Sequence, residues 1–224
     1  MNSASTAART TGVLFILATV SAIAGLVLYD PILQGPDYLS TGAAHANQIL
    51  LGTVLELVLI ASAIGTAITM YPYLRTYNEI LALGHVCFRF LEAVVILIGM
   101  ISVLSLLSLS VQFTATAAPE PASFVTLGHV LRAVHDWTFM LGPNILLGIN
   151  TMFFCYILYR SKLVPRPLSI LGMTGAALVS AAGLFEMFGV FSQISAWGVL
   201  MALPVALFEM ILAGWLIVRG WKLS

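Results

Sequence analysis

Long runs of apolar residues, separated by short polar or proline-containing stretches, dominate the chain. Each run approaches or exceeds the roughly 20 residues that an α-helix needs to cross a bilayer. The runs lack the period-two alternation and the hairpin turns of membrane strands. The pattern therefore predicts six helices, at residues 11–30, 48–73, 79–111, 124–160, 167–191 and 195–219.

Polar residues at the ends of these runs support the predicted boundaries. Asn78 is suited to the N-cap of the third helix, and Ser192 or Ser195 to that of the sixth. Pro167 is suited to the first turn of the fifth helix. The Pro-Glu-Pro sequence at residues 119–121 indicates a loop before the fourth helix.

The composition places these helices in a membrane. Hydrophobic residues make up 60% of the chain, charged residues 8%, and the mean hydropathy is +1.04. Soluble domains carry about 25% charged residues, and a soluble chain this apolar would expose large hydrophobic patches. We predict an all-α, polytopic membrane protein, with residues 1–224 as a single bundle in contact with the lipid bilayer. The zero net charge and the lack of a basic patch argue against nucleic-acid binding.

Lysine and arginine are distributed asymmetrically around the predicted helices. The segments at residues 30–47, 112–123 and 191–195 contain neither residue type. Because basic residues concentrate in cytoplasmic segments, both termini are expected in the cytoplasm. Seven basic residues lie at the cytoplasmic ends in this arrangement: Arg9, Arg75, Arg160, Lys162, Arg166, Arg219 and Lys222.

The first helix allows a second interpretation. Arg9, the following apolar run and the sequence Ala22-Ile23-Ala24 resemble a signal peptide with its cleavage site. The apolar run continues to Leu28, which is longer than a typical signal core, so a retained helix is favoured. Cleavage would leave five spans and an external N-terminus.

Several ionisable residues lie inside the predicted spans. Counted from the basic ends of their helices, Arg89, Glu92 and Glu209 lie roughly 14, 18 and 15 Å deep, near the middle of a ~30 Å hydrocarbon core. His85 shares one helical stripe with Arg89 and Glu92. Since a charge facing lipid at mid-depth costs ~2.5–3.5 kcal/mol, this stripe should face the bundle. Glu56, Glu92 and Glu209 are the carboxylates available to Arg89.

The outer half of the fourth helix carries a second polar group. His129, Arg132 and Asp136 share a stripe, with His135 beside it. A Gly-Pro-Asn sequence ending at Asn144 should interrupt the helix near mid-depth. Together with the mid-depth residues, these side chains define a candidate binding site, a buried charge cluster of eight residues: Arg89, Glu92, Glu209, Glu56, Arg132, Asp136, His135 and Asn144.

The leading functional hypothesis is a buried charged site that is open to the exterior and handles a small solute, an ion or a proton. In it Arg89 would anchor an anion, Glu92 and Glu209 would exchange protons, and Arg132 and Asp136 would form the entrance. The alternative is a membrane assembly or stress-response partner in which the charges only fix the register of the helices.

A third hypothesis is an intramembrane metal-dependent hydrolase that uses His129, His135 and Asp136 as zinc ligands. The chain contains no H-E-x-x-H and no G-x-S-x-G motif. A bis-histidine haem would need two ligands at matched depth on facing helices, which the histidines do not offer clearly. A non-enzymatic protein without a metal or cofactor is therefore favoured.

Small residues on the fifth helix permit close contact with another helix. Gly172, Gly175 and Ala176 lie together there, as in the small-residue interfaces of membrane helices. Packing within the chain is the favoured interpretation, and a homodimer face is the alternative.

Four stretches, taken together, resemble a known family: residues 71–93 (YPYLRTYNEILALGHVCFRFLEA), 135–148 (HDWTFMLGPNILLG), 159–172 (YRSKLVPRPLSILG) and 202–221 (ALPVALFEMILAGWLIVRGW). The family is a group of bacterial membrane proteins known only as domain of unknown function 4386. The resemblance implies a six-helix bacterial inner-membrane protein and no particular chemistry. It also implies that the positions of Arg89, Glu92, Asp136 and Glu209 belong to the family's motifs.

Overall fold

The computed structural model describes residues 3–115, 121–192 and 194–221. Lys222 and residues 119 and 120 of the predicted loop lie outside these ranges. The described part of the chain is helical and contains no strand. Its elements in chain order are α1 (Ser3–Leu28), α2 (Asp30–Leu33), α3 (Tyr38–Ala44), α4 (Ala46–Leu74), α5 (Glu79–Ala115), α6 (Pro121–Met140), a π-helical segment (Leu141–Leu146), α7 (Leu147–Ser161), α8 (Arg166–Met187) and α9 (Ala196–Val218).

Six helices in the described ranges are long and apolar enough to cross a membrane, which confirms the predicted fold class. They are α1, α4, α5, the continuous α6–π–α7 helix, α8 and α9. Each packs against the next along the chain, and α1 also packs against α9, which closes the bundle into a ring. The chain is therefore a multi-pass membrane protein.

Helix termini follow from local hydrogen bonding. Asn78 Oδ1 accepts a bond from the Leu81 N–H at 3.0 Å, and Ser195 Oγ accepts one from the Gly198 N–H at 3.2 Å. Both predicted N-caps are therefore present, with Ser195 rather than Ser192 at α9.

The fifth span ends earlier than the predicted residue 191. Gly189 adopts φ +71°, and its N–H donates to the Glu186 carbonyl while the Val190 N–H donates to the Phe185 carbonyl. This pair of bonds is a Schellman motif, which ends α8 at Met187. Gly189 is the feature of the sequence from which this earlier helix end could have been predicted.

The segment predicted as a loop at residues 30–47 contains the short helices α2 and α3. Ile32, Leu33, Tyr38 and Leu39 are buried against Val103, Leu106 and Leu107 of α5. These apolar side chains hold the segment as a cap on the end of the bundle where α1 ends and α4 begins.

Two apolar clusters mark the ends of the bundle. One gathers Ala8, Leu74, Leu158, Leu163 and Leu216 at the end that bears the basic residues Arg9, Arg75, Arg160, Lys162, Arg166 and Arg219. We name this the basic end. The other cluster lies beneath α2 and α3, and we name that side the opposite end.

Glycines on α8 serve packing within the chain. A Cβ on Gly175 would lie 2.5 Å from the Val205 nitrogen and 2.9 Å from the Pro204 carbonyl carbon, both in the α9 backbone. A Cβ on Gly172 would lie 2.9 Å from the Phe208 ring of α9. The expectation of close intramolecular helix contact is thus confirmed for this face.

Candidate functional site

Arg89 lies inside the ring of helices, and its guanidinium faces three of them. Nη1 donates to Glu92 Oε2 at 3.1 Å and Oε1 at 3.3 Å, one turn further along α5. Nη2 lies 3.7 Å from Glu209 Oε1 on α9, and Nε donates to the Ala63 carbonyl of α4 at 3.4 Å. Arg89 and Glu92 are only 4% and 5% exposed. The charges at mid-depth therefore form an ion-pair cluster, here defined as Arg89, Glu92 and Glu209.

The helical periodicity of α5 explains this placement. His85, Arg89 and Glu92 are separated by four and three residues, and all three are buried on the face that points into the bundle. Glu209 is less enclosed, with its side chain 15% exposed against 6% for that of Glu92.

Asn150, which is not among the eight predicted site residues, completes the polar contacts of Glu92. Asn150 Nδ2 donates to Glu92 Oε2 at 2.5 Å, and His85 Nδ1 lies 3.1 Å from the Asn150 carbonyl oxygen. Because a carbonyl only accepts, His85 must carry its proton on Nδ1. Asn150 lies roughly 16 Å from the end of α7, at the same depth as the ion pair. Estimating the depth of buried amide side chains, and not only of charged ones, would have identified it from the sequence.

Glu56 does not join the cluster. Its Oε2 accepts a hydrogen bond from the buried Tyr29 hydroxyl at 2.8 Å, and the Tyr29 ring packs edge-on to His135 at 6.4 Å between centroids. Glu56 precedes Ala63, whose carbonyl contacts Arg89, by seven residues, or about 10 Å along α4. The carboxylate therefore lies about two turns closer to the opposite end than Arg89, where the tyrosine is its nearer partner.

A cavity of about 100 Å³ lies beside Glu56, between α1, α4, α5 and α6. We name it the inner cavity. Its lining includes Tyr29, Glu56, Ile96, His135, Phe139 and Pro143, but not Arg89, Glu92 or Glu209. Ile96 follows Glu92 by one helical turn, so the cavity begins about 6 Å above the ion-pair cluster.

The remaining predicted site residues lie apart from Arg89. The Arg132 guanidinium donates to the Leu33 carbonyl, donates to the Gly35 carbonyl at 3.4 Å, and stacks on the Tyr38 ring at 4.7 Å. Arg132 therefore fastens the α2–α3 cap to α6. Burial raises the pKa of the Tyr38 hydroxyl, and the nearby guanidinium opposes that effect.

Asp136 and Asn144 belong to a third group. The Asp136 side chain is 77% exposed and lies 3.5 Å from His135 Nδ1. Asn144, in the π-helical segment, donates to Glu186 Oε2 on α8 at 2.8 Å. The eight predicted residues thus separate into the ion-pair cluster, the surroundings of the inner cavity, and a set of side chains near the opposite end.

The histidines do not assemble a ligand set. The exposed His129 packs against the Tyr38 ring at 6.1 Å, away from the contact between His135 and Asp136. Among the residues that the structure describes, no group of three or more His, Cys, Asp or Glu side chains is arranged to hold a metal ion. The hydrolase hypothesis gains no support from this geometry.

A family model described as "Domain of unknown function (DUF4386)" matches residues 10–220. The chain belongs to the DUF4386 family. No curated protein and no solved structure matches it. The DUF4386 match confirms the resemblance carried by the four sequence stretches, and it spans the ion-pair cluster and the inner cavity.

Within this DUF4386 chain, the charges of the ion-pair cluster do not balance. One guanidinium faces two carboxylates, so the fully ionised cluster carries one net negative charge. A net charge in the bilayer interior is costly. Neutrality of the cluster would require one further positive charge, such as a proton.

Proposed function

We propose that the protein lies in the cytoplasmic membrane with its basic end and both termini in the cytoplasm, and that its ion-pair cluster binds and releases a proton exchanged with the exterior. The observation that carries the proposal is the pair of buried carboxylates, Glu92 and Glu209, sharing the single guanidinium of Arg89. The orientation is supported by the position of the basic residues, which favour the cytoplasmic side.

Glu209 is the carboxylate that takes up the proton. Glu92 accepts two hydrogen bonds from Arg89 and one from Asn150, and these bonds stabilise its charged form. Glu209 lies 3.7 Å from the guanidinium and its side chain is more exposed. It is therefore the less firmly held of the two carboxylates.

The inner cavity forms the outward part of the route. It begins one turn above Glu92, and Glu56, Tyr29 and His135 line it with groups that can donate and accept protons. Along the fourth span the π-helical segment lies between the level of the cavity and that of the ion-pair cluster, because Pro143 lines the cavity while Asn150 contacts Glu92 about two turns later. Such segments occur often at functional sites and can rearrange locally. A rearrangement of this segment would connect cavity and cluster, and would admit a small solute with the proton.

Infrared difference spectroscopy of the purified protein between acidic and alkaline pH tests the proposal without requiring a substrate. Protonation of a buried carboxyl produces a C=O stretching band that is separate from the carboxylate bands. We expect this band in the wild type, and the part of it that Glu209 contributes should be missing in Glu209→Gln. Glu79→Gln, an exposed acid at the start of α5, is the matched control and should keep the band. Identical spectra for the wild type and Glu209→Gln would refute the assignment.

A second candidate role is purely structural. The Arg89 side chain ties α4, α5 and α9 together through one carbonyl and two carboxylates while almost fully buried, as expected of a lock on helix register. In that case Glu209→Gln would lower stability, and neither the infrared band nor proton flux in proteoliposomes would respond to it. Proton flux that is lost in a folded Glu209→Gln variant would favour the first role.

A further inference from the structure

A second and larger cavity lies near the opposite end, and Phe139 lines both it and the inner cavity. Its volume is about 400 Å³, within the range of about 300–1,000 Å³ that small-molecule sites occupy. The end of α6, the end of α8 and the segment that joins α8 to α9 surround it. We name it the outer cavity.

The ionisable groups that line the outer cavity are both acidic. Asp136 and Glu186 contribute carboxylates, and no lysine, arginine or histidine belongs to the lining formed by the described residues. Glu186 Oε2 accepts a bond from Asn144, but Glu186 Oε1 is buried and has no hydrogen-bond partner among the described residues. A buried oxygen left unsatisfied costs about 1–3 kcal/mol, and more for a charged group. A cation in the cavity would lower this cost through its attraction to the charged carboxylate.

The nearest basic side chains are directed elsewhere. Arg132 binds the Leu33 and Gly35 carbonyls and stacks on Tyr38. His135 lies 3.5 Å from Asp136 but belongs to the lining of the inner cavity. The two carboxylates of the outer cavity therefore have no arginine or lysine in salt-bridge contact within the described structure.

Aromatic rings complete the lining. Trp137, Phe139 and Phe191 lie around the same space as the two carboxylates. The faces of such rings attract cations, and most strongly large organic cations that lose their water readily. Carboxylates together with aromatic rings select an organic ammonium or phosphonium over a hydrated metal ion, which prefers a shell of oxygen ligands.

The surroundings of the outer cavity are apolar. The segment from α8 to α9 exposes Phe188 (80%), Val190 (65%) and Ile194 (62%), and the first turn of α9 exposes Trp197 (65%). Helices α8 and α9 have 22 and 23 residues. Their lengths are thus about 33 and 35 Å, close to the ~30 Å hydrocarbon thickness. This segment therefore lies at the membrane surface, where apolar groups of a ligand would meet apolar side chains and lipid.

We propose that the outer cavity binds an amphiphilic organic cation, meaning an ammonium or phosphonium with apolar substituents, which enters from the outer surface of the bilayer. Glu186 and Asp136 hold the positive charge, the three rings surround it, and the apolar substituents lie along the α8–α9 segment. A zwitterionic lipid headgroup fits less well, because its phosphate would face the same two carboxylates. The side of entry rests on the proposed orientation, but the inference does not depend on proton binding by the ion-pair cluster.

Binding of tetraphenylphosphonium to the full-length protein in nanodiscs of zwitterionic lipid tests the inference. We expect saturable binding that weakens at least about tenfold in Glu186→Gln, because a charged partner is replaced by a neutral one of the same shape. Gln can still accept the Asn144 hydrogen bond, which protects the fold. Asp136→Asn changes an exposed side chain and provides a second variant, expected to weaken binding severalfold.

Matched controls separate charge from hydrophobicity. Glu79→Gln should bind as the wild type does, and the neutral triphenylphosphine oxide should not compete. Glu209→Gln should also retain binding, so that failure of the proton-binding proposal and failure of this one are distinguishable. Binding that does not saturate, that is equal in the wild type, Glu186→Gln and Asp136→Asn, or that the neutral analogue displaces equally well would overturn the inference.

Discussion

The Arg89 guanidinium makes polar contacts in three directions at the centre of the bundle. Its planar fork presents donors in three directions, and Glu92, Glu209 and the Ala63 carbonyl lie in those directions. A lysine in the same place would offer one compact charge and could not reach all three groups at once. The arginine therefore determines which faces of α4, α5 and α9 point inward.

Replacing this arginine by an apolar residue should be severely destabilising. Arg89→Leu leaves Glu92 and Glu209 buried without a cation, and breaking a buried ion pair in this way costs about 3–5 kcal/mol. Neutralising both acids as well, in the triple variant Arg89→Leu, Glu92→Gln, Glu209→Gln, should recover most of that loss. Replacing a whole ion pair by neutral groups is often nearly neutral in free energy.

Equilibrium unfolding in mixed micelles, titrated with a denaturing detergent, measures both effects as free energies of unfolding. Glu79→Gln controls for the loss of an acid outside the cluster. An Arg89→Leu variant as stable as the wild type, or a triple variant no more stable than Arg89→Leu, would contradict the expected electrostatic origin.

The sequence could predict part of this site but not all of it. The spacing of Arg89 and Glu92 put both on one stripe, and the depth count put Glu209 at their level, so their pairing followed from helical geometry. Glu56 was predicted as a partner of Arg89 but contacts Tyr29, because the position of that tyrosine depends on how α1 packs against α4, which no local pattern encodes. Asn150 was missed because an amide does not stand out by charge.

At the level of helices, termini were easier to predict than irregular segments. Asn78 and Ser195 act through hydrogen bonds within a few residues, so their local sequence is sufficient. The helices α2 and α3 depend on apolar contacts with α5, some 65 residues away, and were predicted as a loop. The Gly-Pro-Asn sequence indicated an interruption in the fourth span, and the structure shows it as the π-helical segment.

Close helix contact gives a prediction at this scale. Gly175→Ala should destabilise the protein by about 1–3 kcal/mol, because the added Cβ meets the α9 backbone, which cannot rotate away. Gly214→Ala is a matched control, since its Cβ would meet nothing within 4 Å. Alanine favours a helix over glycine by about 1 kcal/mol in water, so Gly214→Ala should be neutral or slightly stabilising. Thermal unfolding in detergent compares the two, and equal midpoints would show that the α8–α9 approach is not limiting.

For the whole molecule, the spans differ in length in a way that gives the bundle two unlike ends. Helix α5 has 37 residues against 22 in α8. At about 1.5 Å per residue it extends about 22 Å further. Because α5 and α8 both lie next to the basic end at one terminus, the excess length lies at the opposite end, under the α2–α3 cap. The outer cavity lies at the opposite end beside this difference in helix length, where α8 ends and α6 continues.

The proposed orientation follows from the same asymmetry and can be tested in intact cells. Basic residues at the basic end should remain in the cytoplasm, which places the α2–α3 cap outside. In a background of Cys87→Ser and Cys155→Ala, Asp37→Cys should react with a membrane-impermeant maleimide added to whole cells. Lys162→Cys should react only after permeabilisation. Labelling of Lys162→Cys in intact cells would show that the orientation is the reverse of the proposed one. The inner and outer cavities would then be reached from the cytoplasmic side. The ion-pair cluster would keep its geometry in either case, so this measurement decides the direction of access independently of proton binding.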